Sequence, residues 1–273
     1  MKIGLIAGGG QFPLLFAKKA VQKGITVVGA GFFSETDPNL TDAVDVFQWQ
    51  YIGQVSKLVK YFKHHDVHQA VMLGTIHKTN IFKDIRPDLK ALAFIAKIGY
   101  SHDNTILTAF ADLMQEQGIE IKPSTFLLPE LVSPVGCWTR RSLDKAEKND
   151  AFQGWKLAKA IGRLDIGQCI VISNGTVLAV EAIEGTDAAI SRGGLLSKGN
   201  GSVVVKLSKP QQDLRFDLPS SGCDTIRTMV KAGATVLILE AGKSLAFDRQ
   251  QMVDLAEHHN IVIAAFTDDD IPY

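Results

Sequence analysis

The 273-residue sequence has no excess of charge of either sign. Lys and Arg together number 29, as do Asp and Glu, so the formal net charge near neutral pH is zero. A protein that binds DNA or RNA by releasing counterions from phosphates needs a basic field, and this composition supplies none. Nucleic acid is therefore excluded as an expected partner.

Cysteines are scarce and long apolar runs are missing. Cys137, Cys169 and Cys223 are odd in number and form no C-x-x-C pair, so neither a zinc site nor a disulfide framework is expected. The opening MKIGLIAGGG lacks the apolar core and cleavage site of a signal peptide. No stretch approaches the roughly 18 apolar residues of a membrane span. These absences predict a cytoplasmic protein.

The apolar residues that are present alternate between strand and helix periods in both halves of the chain. The first thirty residues predict a strand, a glycine turn, a helix and a second strand, and similar units follow, so the fold class is α/β. Pro129, Pro134 and the charged run RRSLDKAEKND predict a connection between two domains. The resulting division is an N-terminal domain over 1–135, a linker over 136–150 and a C-terminal domain over 151–273.

Three glycines, Gly8-Gly9-Gly10, lie between the first predicted strand and the first predicted helix. Backbone N–H groups at such a position can bind a phosphate. The dinucleotide-binding pattern, however, needs a third glycine where this chain has Pro13, and the second strand ITVVGAG has no acid at its end. We interpret the loop as an anion or nucleotide contact; the alternative is a tight turn that needs glycine torsions.

Charged side chains concentrate after a predicted hairpin in the second half. In CIVISNGTVLAVEAI, Asn174-Gly175 separates two β-branched runs, as a type I′ turn requires. Carboxylates gathered at strand ends suit Mg²⁺, which takes one or two of them together with waters and phosphate oxygens. Cations interleaved with these acids would neutralise phosphoryl oxygens. For the GTD sequence, the alternative is an ordinary helix N-cap. The acids and their neighbours are Glu181, Glu184, Thr186, Asp187 and Arg192, and the cations include Lys206, Lys209 and Arg215.

The segment KPQQDLRFDLPSSG alternates polar and apolar residues. As a strand, it would place Asp213, Arg215 and Asp217 on one face and apolar side chains on the other. The apolar face would anchor the segment while the polar face presents its charges to a metal and a diphosphate. The alternative is a solvated strand face with no role in catalysis.

Four stretches together resemble one protein family along nearly the whole chain. They are IAGGGQFP, HDNTIL, LDIGQCIVISNGTVLAVEAIEGTDAAISR and VKLSKPQQDLRFDLPSSGCDTI. They are similar to the LpxI family, the UDP-2,3-diacylglucosamine pyrophosphatases of lipid A biosynthesis. The two long motifs are specific to that family, whereas the glycine loop alone is a weak signal.

The resemblance implies an N-terminal Rossmann-like domain and a C-terminal α/β domain of distinct fold. It also implies hydrolysis of UDP-2,3-diacylglucosamine to 2,3-diacylglucosamine 1-phosphate and UMP, with Mg²⁺ or Mn²⁺. Asp217 of RFDLP matches the family's essential acid, as metal ligand or as base for the attacking water, and Asp213, Glu181 and Asp187 are further candidate metal ligands. Candidate substrate contacts are Gly9, Gly10, Gln11, Lys78, Asp103, Asn104, Gln168, Thr186, Arg192 and Arg215.

Two positions depart from the family's pattern. Lys78 lies in GTIHK, where a glycine-lysine pair is expected, and Asn104 stands where a second acid is expected. The predicted helix over 88–98 would line an acyl groove or touch the inner membrane peripherally, the alternative being an ordinary core helix. A homo-oligomer is a further expected assembly. The rival functions are a non-catalytic nucleotide or acylated-sugar binder and a UDP-sugar-dependent transferase.

Overall fold

The computed structural model describes residues 1–76, 86–88, 103–198 and 200–272, and for residues 103–105 it describes the backbone alone. The chain divides into two compact units. The first unit comprises Met1–Pro129 together with Asp213–Asp217, and the second comprises Glu130–Gln212 and Leu218–Tyr273.

The first unit is built on a parallel five-stranded sheet whose strand order is β3-β2-β1-β4-β5. This order matches the first five strands of a doubly wound nucleotide-binding fold, which confirms the predicted Rossmann-like domain. Its strands are β1 (Lys2–Ala7), β2 (Thr26–Phe32), β3 (Val46–Gln50), β4 (Gln69–Leu73) and β5 (Glu120–Ile121), and its described helices are α1 (Phe12–Gln22), α2 (Leu40–Ala43), α3 (Val55–His64) and α4 (Asp103–Glu116).

The core of this unit follows from the spacing of apolar residues in α3. Val55, Leu58, Val59 and Phe62 recur at intervals of three and four, so they form one face of the helix, and all four are buried. Their cluster includes residues of the sheet and of α4, and a residue from far along the chain, Phe216, packs against it. The first core is thus completed by the segment 213–217.

The second unit contains a mixed six-stranded sheet with the order β6-β13-β11-β9-β7-β8. Its central strands β9, β11 and β13 are parallel, and the outer strands run antiparallel to their neighbours. One apolar cluster covers each face of the sheet. The strands of this sheet are β6 (Gly136–Cys137), β7 (Cys169–Ser173), β8 (Thr176–Val180), β9 (Val203–Lys206), β11 (Val236–Glu240) and β13 (Val262–Phe266). Strands β10 (Ser220–Ser221) and β12 (Leu245–Ala246) form a separate two-stranded sheet. The helices of the unit are α5 (Lys145–Arg163), α6 (Thr186–Ser197), α7 (Cys223–Ala232) and α8 (Arg249–His258).

The hairpin predicted at Asn174-Gly175 is confirmed. It joins β7 to β8, and both turn residues have positive φ, 49° and 75°, as a type I′ turn requires. The carboxylate of Asp150, on α5, accepts hydrogen bonds from both turn amides, at 2.8 Å from Asn174 N and 2.7 Å from Gly175 N. The turn is therefore fixed by its own torsions and by an acid from a distant helix.

The linker predicted over 136–150 is wrong. Residues 136–137 are strand β6, which pairs with β13, and α5 begins at Lys145. The Asp144 side chain accepts a hydrogen bond from the N–H of Glu147, whose own side chain accepts one from the N–H of Asp144. This capping box starts the helix, so the second half of the charged run that suggested a connection, residues 145–150, is the first turn and a half of a long helix.

Two expectations about membranes meet different outcomes. Among the helices described, none combines the length and the apolar character needed to cross a bilayer. The helix predicted over 88–98 lies almost wholly outside the described residues, and so does Lys78. Peripheral membrane contact through that helix stays a prediction.

Candidate functional site

The glycine loop of the first unit lies where the strand order reverses. Gly8–Gly10 follows β1 and Gly74-Thr75 follows β4, and these are the strands from which the sheet extends in opposite directions. Gly9 N donates to the Thr75 carbonyl at 2.8 Å, and Thr75 N donates to the Gly9 carbonyl at 3.0 Å. Gly10 has a φ of 87° and is exposed, as is Gln11 at the start of α1. Ligands of open α/β sheets bind at such a reversal point.

Replacement of Gly74 by alanine is expected to destabilise the first unit because two costs combine. Gly74 has a φ of 90°, and a Cβ there would lie 2.4 Å from the Gly9 carbonyl oxygen. Gly118 is a matched control, since its φ is 82° but a Cβ added there would meet nothing within 4 Å. Urea unfolding should give a loss for Gly74→Ala at least about 1 kcal/mol larger than for Gly118→Ala. Equal losses would mean that the loop moves enough to avoid the clash with the Gly9 carbonyl at little cost in stability.

In the second unit, a buried carboxylate follows β8. Glu181 is 6% exposed, and its Oε1 accepts a hydrogen bond from the Thr186 hydroxyl at 3.0 Å. Its other oxygen, Oε2, is buried without a hydrogen-bond partner among the residues that the structure describes. The side-chain oxygen of Gln168 is likewise buried and has no hydrogen-bond partner among these residues. Because these two buried oxygens lack hydrogen-bond donors in the described structure, they could accept from the N–H or O–H groups of a ligand, or bind a cation.

Lys206, at the end of β9, supplies positive charge to the same neighbourhood. It is 7% exposed, and its Nζ donates to the Ser220 carbonyl at 2.6 Å. Both Lys206 and Glu181 act on Cys169 at the start of β7: burial chiefly, together with the Glu181 charge, raises the pKa of the Cys169 thiol, while Lys206 lowers it. Cys169 is fully buried and its pKa is raised, so the geometry does not favour it as a nucleophile.

Helix α6 places the remaining predicted residues of this cluster. The alternative interpretation of the GTD sequence as a helix start is confirmed, because Gly185 is the N-cap and the helix begins at Thr186, but neither Thr186 nor Asp187 caps it through a side-chain hydrogen bond. Asp187 is exposed in the first turn. The Arg192 guanidinium donates to the Val180 carbonyl at 2.8 Å and pairs with the Glu184 carboxylate. Arg192 thus braces the connection between β8 and α6.

The strand predicted for the 213–217 segment is wrong. Phe216 N and Asp217 N both donate to the Asp213 carbonyl, at 3.1 and 3.2 Å, which closes a turn. The Asp213 side chain also accepts from Arg215 N at 3.0 Å, an Asx-turn bond that competes with extended structure. The alternation in the sequence is real, but local hydrogen bonding overrides its period.

Within this turn, the side chains of Asp213 and Arg215 form a bidentate ion pair. The guanidinium donates to both carboxylate oxygens, at 3.0 Å from Nε to Oδ1 and 2.7 Å from Nη2 to Oδ2. These hydrogen bonds hold the pKa of the Asp213 carboxyl below its usual range and raise the pKa of Arg215. A carboxylate engaged on both oxygens is a poor metal ligand, so the geometry does not favour Asp213 in that role.

Asp217 differs from Asp213 in every respect that matters for a ligand. Its side chain is exposed, and its carboxylate makes no hydrogen bond within the part of the chain that the structure describes. The carbonyl of the neighbouring Arg215 accepts from Ser124 N at 2.7 Å, which anchors the turn to the first unit. Asp217 is therefore a free carboxylate on an anchored turn.

The fit of these residues to a divalent cation is partial. Among the described side chains, no group of three or more His, Cys, Asp and Glu residues is arranged to hold a metal ion. Mg²⁺ needs only one or two carboxylates when waters and substrate phosphates complete its shell, so the exposed Asp217 and Asp187 fit that requirement individually. The side chains of Asp103 and Asn104 lie outside the described residues.

Sequence reasoning missed a buried ionic network at the carboxyl end of β11. Glu240 is 1% exposed, and its Oε1 accepts from Lys159 Nζ at 2.6 Å and Lys243 Nζ at 3.0 Å. Its Oε2 accepts from Ser208 N at 3.0 Å, so Glu240 binds the first residues of the loop that leads to Asp213. The available signal was an acid directly after the buried run VLIL.

Comparisons with solved structures give only weak global similarity. The X-ray structure of Pal from Bacillus thuringiensis aligns with 98% of this chain and 86% of that one, at 10% identity and a TM-score of 0.32. A single-chain, multi-domain long-chain acyl-CoA carboxylase aligns with 63% of this chain but only 15% of its own, at 14% identity and a TM-score of 0.28. Neither alignment contributes to the assignment.

Comparisons of sequence are decisive. A curated relative from Caulobacter vibrioides, named UDP-2,3-diacylglucosamine pyrophosphatase LpxI, is 32% identical over 268 residues, which cover 94% of each chain. Residues 2–131 match the family model described as the LpxI N-terminal domain, and residues 134–264 match the LpxI C-terminal domain. The chain therefore belongs to the LpxI family.

Proposed function

We propose that this protein hydrolyses the pyrophosphate linkage of UDP-2,3-diacylglucosamine, releasing 2,3-diacylglucosamine 1-phosphate and UMP in lipid A biosynthesis. The observation that carries the proposal is the match to the curated pyrophosphatase, at 32% identity over 94% of both chains. A glycine loop at the reversal point of a Rossmann-like sheet supports a nucleotide or phosphate contact.

We further propose that the reaction uses Mg²⁺ or Mn²⁺ held in part by Asp217. An exposed carboxylate on an anchored turn has both oxygens available, which Asp213 lacks. Glu181 and Asp187 are the remaining candidate ligands. When bound, such a cation would neutralise phosphoryl oxygens and activate the attacking water.

The other candidate residues would bind and orient the substrate. The buried side-chain oxygen of Gln168 would accept from the N–H or O–H groups of the acylated sugar, and Thr186 would hold the Glu181 carboxylate in place. Gly9, Gly10 and Gln11 would contact phosphate or nucleoside through backbone and side chain. Arg192, Arg215, Lys78, Asp103 and Asn104 stay predicted substrate contacts.

The identity of the nucleotide product tests this function. Incubation with UDP-2,3-diacylglucosamine and Mg²⁺ should give UMP, and EDTA should abolish its release because the cation is removed. UDP as the product would indicate a transferase. Substrate binding that is equal with and without Mg²⁺, with no product on prolonged incubation, would indicate a non-catalytic binding protein. UMP release that is unchanged in EDTA would support the hydrolase and refute its metal dependence.

A further inference from the structure

A cavity of about 560 Å³ opens in the second unit beside the C-terminal ends of α6 and α7. Its volume lies within the range of sites that bind small molecules. None of the candidate substrate or metal residues lines it. The lining includes Gly194, Leu195, Lys198, Val230, Lys231 and Gly233.

The cavity arises from a close helix contact next to two helix ends. A Cβ at Gly194 would lie 2.4 Å from the Ala232 carbonyl oxygen, so α6 and α7 touch there with no side chain between them. Lys198 and Gly233 then end the two helices in the left-handed conformation, with φ values of 55° and 69°. Because each helix stops just past the contact, the space beside it is left unfilled.

The wall of the cavity is apolar where a soluble surface is ordinarily polar. Leu195 is 81% exposed although it lies on a helix whose preceding residues, Gly193 and Gly194, are buried. Val230 of α7 adds a second, partly buried apolar side chain to the lining. A ligand with an alkyl chain would remove this surface from water.

The charges at the cavity have one sign. Lys198 and Lys231 both line it, no acidic residue does, and neither ammonium group forms an ion pair among the residues that the structure describes. Lysines at helix ends also complement the helix dipole, but that role does not account for the exposed Leu195 beside them. An apolar wall between two free cations is complementary to an apolar chain with an anionic head.

We propose that this cavity binds a single-chain anionic amphiphile, an alkyl or acyl chain that ends in a phosphate or carboxylate. The alkyl chain would lie against Leu195 and Val230, and its head group would pair with Lys198 and Lys231. This binding site is independent of the pyrophosphatase activity proposed above, and its occupancy requires no turnover.

Calorimetric titration with dodecyl phosphate, kept below its aggregation concentration, tests the proposal. We expect saturable binding that is at least about 10-fold tighter than that of the neutral dodecyl maltoside. The double variant Lys198→Ala/Lys231→Ala should weaken dodecyl phosphate binding at least about 10-fold, and Leu195→Ser should weaken binding of both amphiphiles. Because these side chains are exposed, the variants should keep the circular dichroism spectrum and melting temperature of the parent protein.

Ile183→Ser is the matched control, because Ile183 is 95% exposed and does not line the cavity. Its affinity for dodecyl phosphate should equal that of the parent protein. Absence of saturable binding, or equal affinities for the lysine variant and the control, would overturn the proposal. Sedimentation with anionic phosphatidylglycerol vesicles distinguishes binding of free amphiphile from binding of lipid head groups in a membrane. Lysine-dependent vesicle binding without binding of monomeric dodecyl phosphate would indicate a membrane-facing surface and refute the cavity site.

Discussion

Replacement of Asp217 by asparagine is expected to reduce UMP release at least about 100-fold while leaving the fold intact, equivalent to about 2.7 kcal/mol in the activation barrier. The substitution keeps the shape of the side chain and removes its charge. Since the carboxylate is exposed and makes no hydrogen bond in the described part of the chain, the free energy of unfolding should not change. Steady-state kinetics at saturating Mg²⁺ and urea unfolding provide the two measurements.

Asp224→Asn is the matched control for this substitution. Asp224 is an exposed acid on α7 that pairs, among the described residues, with Arg227, three residues along the same helix, at 2.6 Å. Its loss should leave kcat and KM unchanged. An Asp217→Asn variant that keeps more than about a tenth of the parent activity would exclude a central role for this carboxylate.

The second large effect concerns stability: Glu240→Ala is expected to lower the free energy of unfolding by about 3–5 kcal/mol. The substitution removes the buried carboxylate of Lys159, whose side chain is 14% exposed, and leaves it only the more distant and exposed Asp268 at 3.7 Å. It also removes the acceptor of the Ser208 amide. Lys243 is affected less because nearly half of its side chain is exposed. Urea unfolding followed by circular dichroism measures the loss.

Two comparisons separate burial from charge pairing as the cause. Glu257→Ala removes an ion pair of similar length with Arg140, 2.6 Å, but the arginine is 88% exposed, so the loss should be far smaller. The double variant Glu240→Leu/Lys159→Met replaces the buried charges with apolar groups and should recover much of the stability lost in Glu240→Ala. A Glu240→Ala loss no larger than that of Glu257→Ala would show that water reaches the network.

Local signals in the sequence were sufficient where one feature decided the outcome. The Asn174-Gly175 turn needs two positive φ angles, and few residue pairs other than Asn-Gly accept them readily, so its type followed from two letters. In α3, apolar residues spaced three and four apart likewise form the buried face of the helix. The α/β class of the first unit was predicted from the alternation of strand and helix signals.

Prediction failed where a competing local bond or a distant partner decided the outcome. The alternation around Arg215 indicated a strand, but the Asp213 side chain satisfies backbone N–H groups within its own turn. The charged run near Asp144 indicated a linker, although the capping box D-x-x-E was present in the sequence and outweighs composition. The network of Glu240, Lys159 and Ser208 joins positions far apart in the chain, and no periodicity reveals such pairing.

The return of residues 213–217 to the first unit has a consequence for biosynthesis. A ribosome that has translated the whole N-terminal half has not yet made Phe216, which packs against that half's core, or the Arg215 carbonyl that accepts from the buried Ser124 amide. The Thr108 hydroxyl likewise lacks its acceptor, the Asp213 carboxylate, until the ribosome reaches a position 105 residues further along the chain. From residue 129 until residue 216 is made, about a third of the chain, the nascent N-terminal half therefore lacks part of its apolar core, which exposes apolar surface that chaperones bind.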